Sequence, residues 1–557
     1  MIRYTSFVIL FFFGMLAEGA DWARFRGPNG AGAVSSSDEI PTQWSSDANL
    51  AWKTPLPGPG ASSPIIVNGK VFVTCYSGYG LARDNPGEIE NLVRHLVCID
   101  MKTGEKLWQK NVEVSLPEDP YTGIGVTAHG YASHTPVSDG KKIYAFFGKS
   151  GVHAYDLTGK ELWQADVGKE SDPARWGSAS SPIVYENTVI VTASAESQAI
   201  VGLDRETGEE LWRQEAKGLD GMWGTPVLVE VDENRTDLVM CVAKELWGLD
   251  PSNGKLRWFA NATGAQQAYS SVVMDGTRVF AFTGRGGGSI ALDVKGSGDV
   301  SDSNTVWVGG ETASFASPVR FQSRLFVVAR GILTVVDSKT GKRLQQIRLR
   351  GVESSEGRFG SLDYPSPIVI GDRLFYSTGG GQMFVFSLGD EVKQIAVNKV
   401  TDEQEKFWGT PAVSNGRMVL RSSHHLYCVA NKGESVANAD RNLASSTTEK
   451  PDAPPASRSG GGPGRSGGRN FDPMSMFNGL DANKDGEVTE NELEGNRMAD
   501  RLRTLDKDDD KVISAEEFRT GISTLFSRGT GGRGNYSNRG SDSRPNRPQR
   551  PESSMKP

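Results

Sequence analysis

Asp100-Met101-Lys102-Thr103-Gly104-Glu105-Lys106-Leu107-Trp108 and Asp204-Arg205-Glu206-Thr207-Gly208-Glu209-Glu210-Leu211-Trp212 are two copies of one phrase. Each closes a unit that opens with a Ser/Thr-Pro dipeptide, Ser63-Pro64 in one and Ser181-Pro182 in the other, and continues through short apolar strands. The Asp accepts backbone N–H bonds in a turn, and the Gly supplies the φ > 0 position after it. The Trp offers a large apolar surface to bury between neighbouring units. Trp108, Trp163, Trp212, Trp258 and Trp307 fill its slot, and Gln345 replaces it in the copy read as the seventh.

Working outward, strand entries fall at Pro64, Pro136, Pro182, Pro226, Val272, Pro318, Pro367 and Pro411, and most steps are 44 to 49 residues. The first step is longer because residues 76–95 and 113–130 are inserted. A spacing in the forties with four short strands per unit is the arithmetic of a β-propeller. The last copy stops at Leu426-Tyr427-Cys428-Val429-Ala430 without an outer strand, while a spare strand, Leu50-Ala51-Trp52-Lys53, precedes the first entry. Pairing the two would close the ring and remove both open edges. The expected fold is all-β, an eight-bladed propeller within residues 21–432, followed by a small α-helical domain.

The composition agrees. Of 557 residues, 66 are Gly and 12 are Trp, which favours many short strands and tight turns over helical bundles. A net charge of −7 argues against a nucleic-acid-binding body. Four Cys are too few for a disulfide scaffold. Arg3, the apolar run from Phe7 to Leu16 and the small residues Ala17, Gly19 and Ala20 read as a secretory signal peptide over residues 1–20. That run is short of the ~20 residues a membrane span needs, and no Cys marks a lipoprotein anchor. A secreted or periplasmic protein is expected.

The repeats resemble the pyrroloquinoline quinone (PQQ)-like propeller repeat of quinoprotein alcohol dehydrogenases and of the outer-membrane assembly protein BamB. Asp21-Trp22-Ala23-Arg24-Phe25-Arg26-Gly27-Pro28-Asn29-Gly30 and His129-Gly130-Tyr131-Ala132-Ser133 look like a secreted bacterial group of such propellers. The quinone-binding members carry a vicinal Cys-Cys pair, ligands for an active-site calcium and a catalytic Asp. Here no two Cys are adjacent. Cys98 and Cys428 share a repeat slot held elsewhere by Ala154, Gly202 and Gly248, so they read as small core residues. No cofactor-binding or catalytic residue is therefore assigned, and PQQ is not expected.

After Lys432 the composition changes. Residues 433–470 form a Gly/Pro/Ser-rich linker, and 528–557 an Arg/Gly-rich tail that composition reads as disordered. Between them, residues 471–527 contain two EF-hand calcium loops. In the first, Asp481, Asn483, Asp485, the Glu487 carbonyl, Thr489 through water, and Glu492 fall at the ligand positions, with Gly486 at the sharp turn. In the second, Asp506, Asp508, Asp510, the Val512 carbonyl, Ser514 and Glu517 do so, with Lys511 in place of the Gly. A left-handed backbone there costs a non-Gly residue roughly 1–2 kcal/mol, so the second loop should bind more weakly. Val488 and Ile513 hold the position that pairs such loops through a small β bridge.

One more alignment locates a ligand face. Three residues before the strand entries stand Trp223, Tyr269, Phe315, Tyr364 and Trp408 in five consecutive blades. His129, His134, His424, Arg285 and Arg330 map to loops on the same face. This top face is read as the surface for an unknown protein or small-molecule ligand, aromatic planes with a few polar tips being suited to binding. The competing reading is that the aromatics only pack the blades. The leading function is a non-catalytic binding or scaffold propeller with a calcium module; the alternative is a PQQ-dependent quinoprotein oxidoreductase.

Overall fold

The structure is a computed structural model that describes residues 21–35, 39–122, 126–265, 267–284, 287–353 and 364–432, parts of 477–518, and Arg547 and Pro548. The leader over 1–20, the linker over 433–470, Arg285, Asp481 and most of the tail lie outside the described residues. The chain divides into two compact units, Met1–Glu449 with Pro545–Pro557, and Lys450–Arg544.

The first unit is an eight-bladed propeller. Blade three shows how the sequence makes a blade. Ile183–Tyr185, Thr188–Ala193, Ala199–Asp204 and Glu210–Glu215 pair antiparallel in chain order. The second and third strands are buried along nearly their whole length, which is why they read as unbroken apolar runs. The last strand lies at the rim and is largely exposed. Two blades carry more than the expected four strands. Gly298–Asp299 runs parallel beside Leu256–Asn261 in blade four, and Ala33–Val34 runs parallel beside Ile368–Ile370 in blade seven.

The repeated phrase has a physical reading at each letter. The Asp204 carboxylate accepts the backbone N–H groups of Glu206 and Thr207 at 2.8 and 2.9 Å. Asp100 and Asp337 hold their turns the same way. Gly208 then takes φ 77°, and a Cβ on it would stand 2.6 Å from the Trp163 ring of the preceding blade. The same clash would bring Gly104 against Trp52 and Gly341 against Trp307. The Thr-Gly turn is thus the flat seat for the previous blade's Trp. The indole N–H completes the joint, Trp163 Nε1 donating to the Arg205 carbonyl at 3.1 Å and Trp108 Nε1 to the Leu157 carbonyl at 3.2 Å. Gln345 stands in blade six, not in a seventh copy, and bridges to Val392 through its amide at 2.9 and 3.1 Å.

Closure follows the same rule. Leu50–Pro55 pairs antiparallel with His425–Ala430, and Trp52 stands opposite Cys428 as Trp108 stands opposite Cys98. Trp52 Nε1 donates to the Met101 carbonyl at 3.0 Å, so Trp52 is the motif Trp of blade eight, supplied from the other end of the chain. All four Cys are buried and free.

The segment before that strand ties the ring together. Trp22 bridges to Ile66 in blade one and the Ala23 carbonyl accepts Ser138 N–H of blade two. Arg24 donates to the Pro226 carbonyl at 3.0 Å and the buried Arg26 to the Pro318 carbonyl. The inserted residues of blade one pack among themselves, with Tyr76, Tyr79, Leu92, Val126 and Tyr131 in one cluster.

In the second unit, Glu487–Thr489 pairs antiparallel with Val512–Ser514, Val488 opposite Ile513. Phe477, Leu493, Leu502, Leu505 and Phe518 close a small core over these two strands. No described helix is long and apolar enough to cross a membrane.

Candidate functional site

The Ser/Thr of each strand entry faces the propeller axis. Its hydroxyl accepts a backbone N–H from its neighbour, and the chain of bonds runs from Ser63 through Thr135, Ser181, Thr225, Ser271, Ser317, Ser366 and Thr410 back to Ser63. All eight bonds are 2.9–3.0 Å. Each blade thus donates one amide and accepts one, and the ring of hydroxyls fixes the strand entries at a common radius.

The aromatic residues two positions upstream stand over that ring. Trp223, Tyr269, Phe315, Tyr364 and Trp408 line one central cavity of about 210 Å³ together with the hydroxyls. Trp223 stacks on Tyr269 with centroids 5.0 Å apart, Tyr269 meets Phe315 at 5.0 Å, and Phe315 stacks on Tyr364 at 4.6 Å. Trp176 extends the arc, 5.5 Å from Trp223, and Phe25 of the N-terminal segment adds a further face. Neither occupies a position that the repeat marks. Trp176 comes from an earlier place in its loop than the aligned position, and Phe25 from outside the repeat. The hydroxyl ring was present in the Ser/Thr-Pro entries, but a pairwise closed circuit is visible only once eight blades meet.

On the other arc, His129 and Ser133 line the cavity. His129 Nε2 lies 2.6 Å from the Trp176 carbonyl and Nδ1 2.6 Å from Ser133 Oγ. A carbonyl only accepts, so Nε2 carries the proton and Nδ1 accepts from the hydroxyl. Burial pushes His129 below the usual histidine range. Both ring nitrogens are engaged, so His129 offers the cavity a neutral, fixed edge rather than a base or a metal ligand.

His134 lies behind it, buried, with Nε2 3.0 Å from Ser178 Oγ. Ser178 donates to Glu196 Oε1 at 2.6 Å. Burial lowers His134 to about 3, and burial raises Glu196 to about 7. Glu196 Oε2 is buried with no hydrogen-bond partner among the described residues, which suits a protonated carboxyl. The sign of the pH effect follows. With its folded value raised above the unfolded one, Glu196 leaves stability intact below pH ~4.5 and removes it as pH rises through about 7. His134 acts oppositely, its contribution present above pH ~6.5 and lost as pH falls toward 3. Glu196→Gln is therefore expected to stabilise the propeller more at pH 8 than at pH 5, by about 2–3 kcal/mol. Thermal melts of both proteins at the two pH values check this; an equal difference at both would show Glu196 to be ionised throughout.

The remaining candidates are dispersed. His424 is not among the residues lining the cavity; its Nδ1 lies 2.9 Å from Ser423 Oγ, and its neighbour His425 pairs with Glu405 at 2.7 Å. Arg330 sits exposed at φ 54° in a turn of blade six. In the second unit, Asp506, Asp508 and Asp510 hold carboxylate oxygens within 4.8 Å of one another. Lys511 takes φ 69°, in the left-handed region. Glu492 accepts from Thr489 N–H and Oγ1, each at 2.9 Å, and Glu517 accepts from Ser514 N–H and Oγ at 3.0 and 2.8 Å. Asn483, Asp485 and Glu487 are joined by N–H bonds from Asp485 to Asn483 Oδ1 and from Glu487 to Asp485 Oδ1.

PQQ, the group that the repeat resemblance implies for its quinone-binding members, is a flat tricarboxylate. Its plane would match the aromatic arc, but no Arg or Lys lines the cavity among the described residues to meet its carboxylates. Nor does any Asp, Glu or Asn there offer a companion calcium its oxygens. The residues lining this cavity do not fit the group.

A protein-family model described as outer membrane protein assembly factor BamB matches residues 93–347, from the third strand of blade one through blade six. No curated protein matches the chain. Among solved structures, BamB from Moraxella catarrhalis aligns at 14% identity over 68% of this chain and 99% of its own, with a TM-score of 0.45. A europium-containing methanol dehydrogenase aligns at 12% identity over 72% and 89%, TM-score 0.46. Quinohemoprotein alcohol dehydrogenase from Comamonas testosteroni aligns at 12% identity over 82% and 84%, TM-score 0.35.

Proposed function

We propose that this protein is a non-catalytic binding propeller that receives an uncharged, flat or apolar group of its partner in the central cavity. The observation that carries the reading is the aromatic arc standing over the closed hydroxyl ring. Stacked aromatic faces supply apolar contact, and the hydroxyls below them are already bonded to backbone, so they add little demand for charge. The neutral, doubly bonded His129 supports binding over proton transfer. The description of the matching family, an assembly factor, supports a protein as the partner. The leader read in residues 1–20 supports work outside the cytoplasm.

The second unit is proposed to bind calcium through the two EF-hand loops, the first more tightly because its sequence has Gly486 at the position where the second has Lys511. The paired strands at Val488 and Ile513 and the grouped Asp506, Asp508 and Asp510 support it. The propeller reading is tested by capture from the source organism's own extract with the wild-type chain and with Trp223→Ala and Trp408→Ala. Partner recovery should fall in both variants. A dehydrogenase activity appearing with added PQQ, with its absorbance band retained through gel filtration, would contradict the reading.

A further inference from the structure

The C-terminal stretch contains three consecutive Arg-Pro dipeptides, Arg544-Pro545, Arg547-Pro548 and Arg550-Pro551. The middle one is seated on blade four. Arg547 Nε donates to Glu245 Oε2 at 2.9 Å and Nη2 to Glu245 Oε1 at 2.5 Å, the two-pronged geometry that guanidinium makes with carboxylate. The guanidinium carbon lies over the Phe259 ring, 3.3 Å from its centroid. Trp247 Nε1 donates to Glu245 Oε2 at 2.8 Å and so fixes the carboxylate from the other side. Pro548 is buried beside it.

Nothing in the blade repeat asks for this acid. Glu245 opens the third strand of blade four, and its equivalents in the other blades, among them Ala199, Ile332 and Gln382, are not acidic. Its carboxylate is only 2% exposed, and Arg547 is the one cation paired with it among the described residues. A buried carboxylate held by an indole N–H and opened toward an aromatic plate is a socket for one guanidinium, and the adjoining Pro restricts the backbone that presents it.

We propose that Glu245, Trp247 and Phe259 form an Arg-Pro recognition site on the propeller, occupied by the chain's own C-terminal arm. The described propeller strands end before Lys432, and Arg547 and Pro548, which belong to the same compact unit, are described again at this socket. The three-residue spacing of the arginines matches the repeat of a polyproline-type peptide, which makes all three chemically suited to the same seat.

The test uses the full-length chain and a fluorescein-labelled peptide of residues 543–552. In the wild type the arm competes from within the same molecule, at an effective concentration near the millimolar range. Arg544→Ala, Arg547→Ala and Arg550→Ala together, all outside the propeller core, should vacate the socket. The peptide should bind this triple variant at least about tenfold more tightly than the wild type. Adding Glu245→Gln to it should weaken binding about thirtyfold or more, with the thermal melt checking that the blade still folds. Equal binding to wild type and triple variant, or no binding to the triple variant, would overturn the site. Peptide exclusion by the wild type that grows with protein concentration would place the arm of a second copy there and overturn the self-occupied assignment.

Discussion

Deleting residues 21–55 is expected to abolish the cooperative thermal transition of the propeller. The deletion removes the strand that pairs with His425–Ala430, leaving an open edge on blade eight, and uncovers the seat around Gly104 in blade one. It also removes the contacts that Trp22, Arg24 and Arg26 make with blades one, four and six. The point version is Trp52→Ala. Trp52 is 8% exposed, packs on Gly104 and donates to the Met101 carbonyl, so its loss should cost about 3–5 kcal/mol. Differential scanning calorimetry decides: an unchanged single transition after deletion would mean that blades one and eight hold without their shared strand.

The second large effect is on calcium. In the calcium loop proposed for residues 481–492, Glu492 would occupy the twelfth position, where a carboxylate gives two oxygens at once. Its Oε2 is already oriented by the N–H and hydroxyl of Thr489. Calorimetric titration of the full chain is expected to show binding in the 10⁻⁴–10⁻³ M range, and Glu492→Ala to weaken the tighter event by about a hundredfold. Restoring Gly at the turn of the second loop, Lys511→Gly, should strengthen the weaker event, since Lys511 holds φ 69°. Absence of any calcium heat in the wild type would remove the module from the account.

Most of the propeller could be read from residues because its repeat is chemical as well as numerical. The Asp, the Gly and the Trp each have a separate task, and the tasks interlock between neighbouring blades. That is why a lone Leu-Ala-Trp-Lys far upstream could be assigned to the last blade. What could not be read is what depends on all blades meeting at once. The hydroxyl circuit from Ser63 to Thr410 is made of seven ordinary Ser/Thr-Pro dipeptides and one Ser-Val, Ser271-Val272, and no one of them announces it. Arg24 and Arg26 act across 202 and 292 residues of sequence, and Phe25 comes from outside the repeat, beyond any local pattern. His134 and Glu196 are joined only through Ser178, which no motif singles out. The extra parallel strands at Ala33–Val34 and Gly298–Asp299 are too short to carry a period of their own.

The central claim is that the aromatic arc receives a ligand group rather than only packing the ring. The most direct measurement is ligand-observed NMR with indole, a neutral flat probe, on the wild type and on Trp223→Ala and Tyr269→Ala, with melting temperatures taken on the same samples. Saturable indole binding to the wild type is expected, weakened about tenfold in each variant, while the melting temperature moves by no more than about 4 °C. Unchanged indole binding with a large fall in melting temperature in both variants would show that the arc is part of the packing and that the ligand site lies elsewhere.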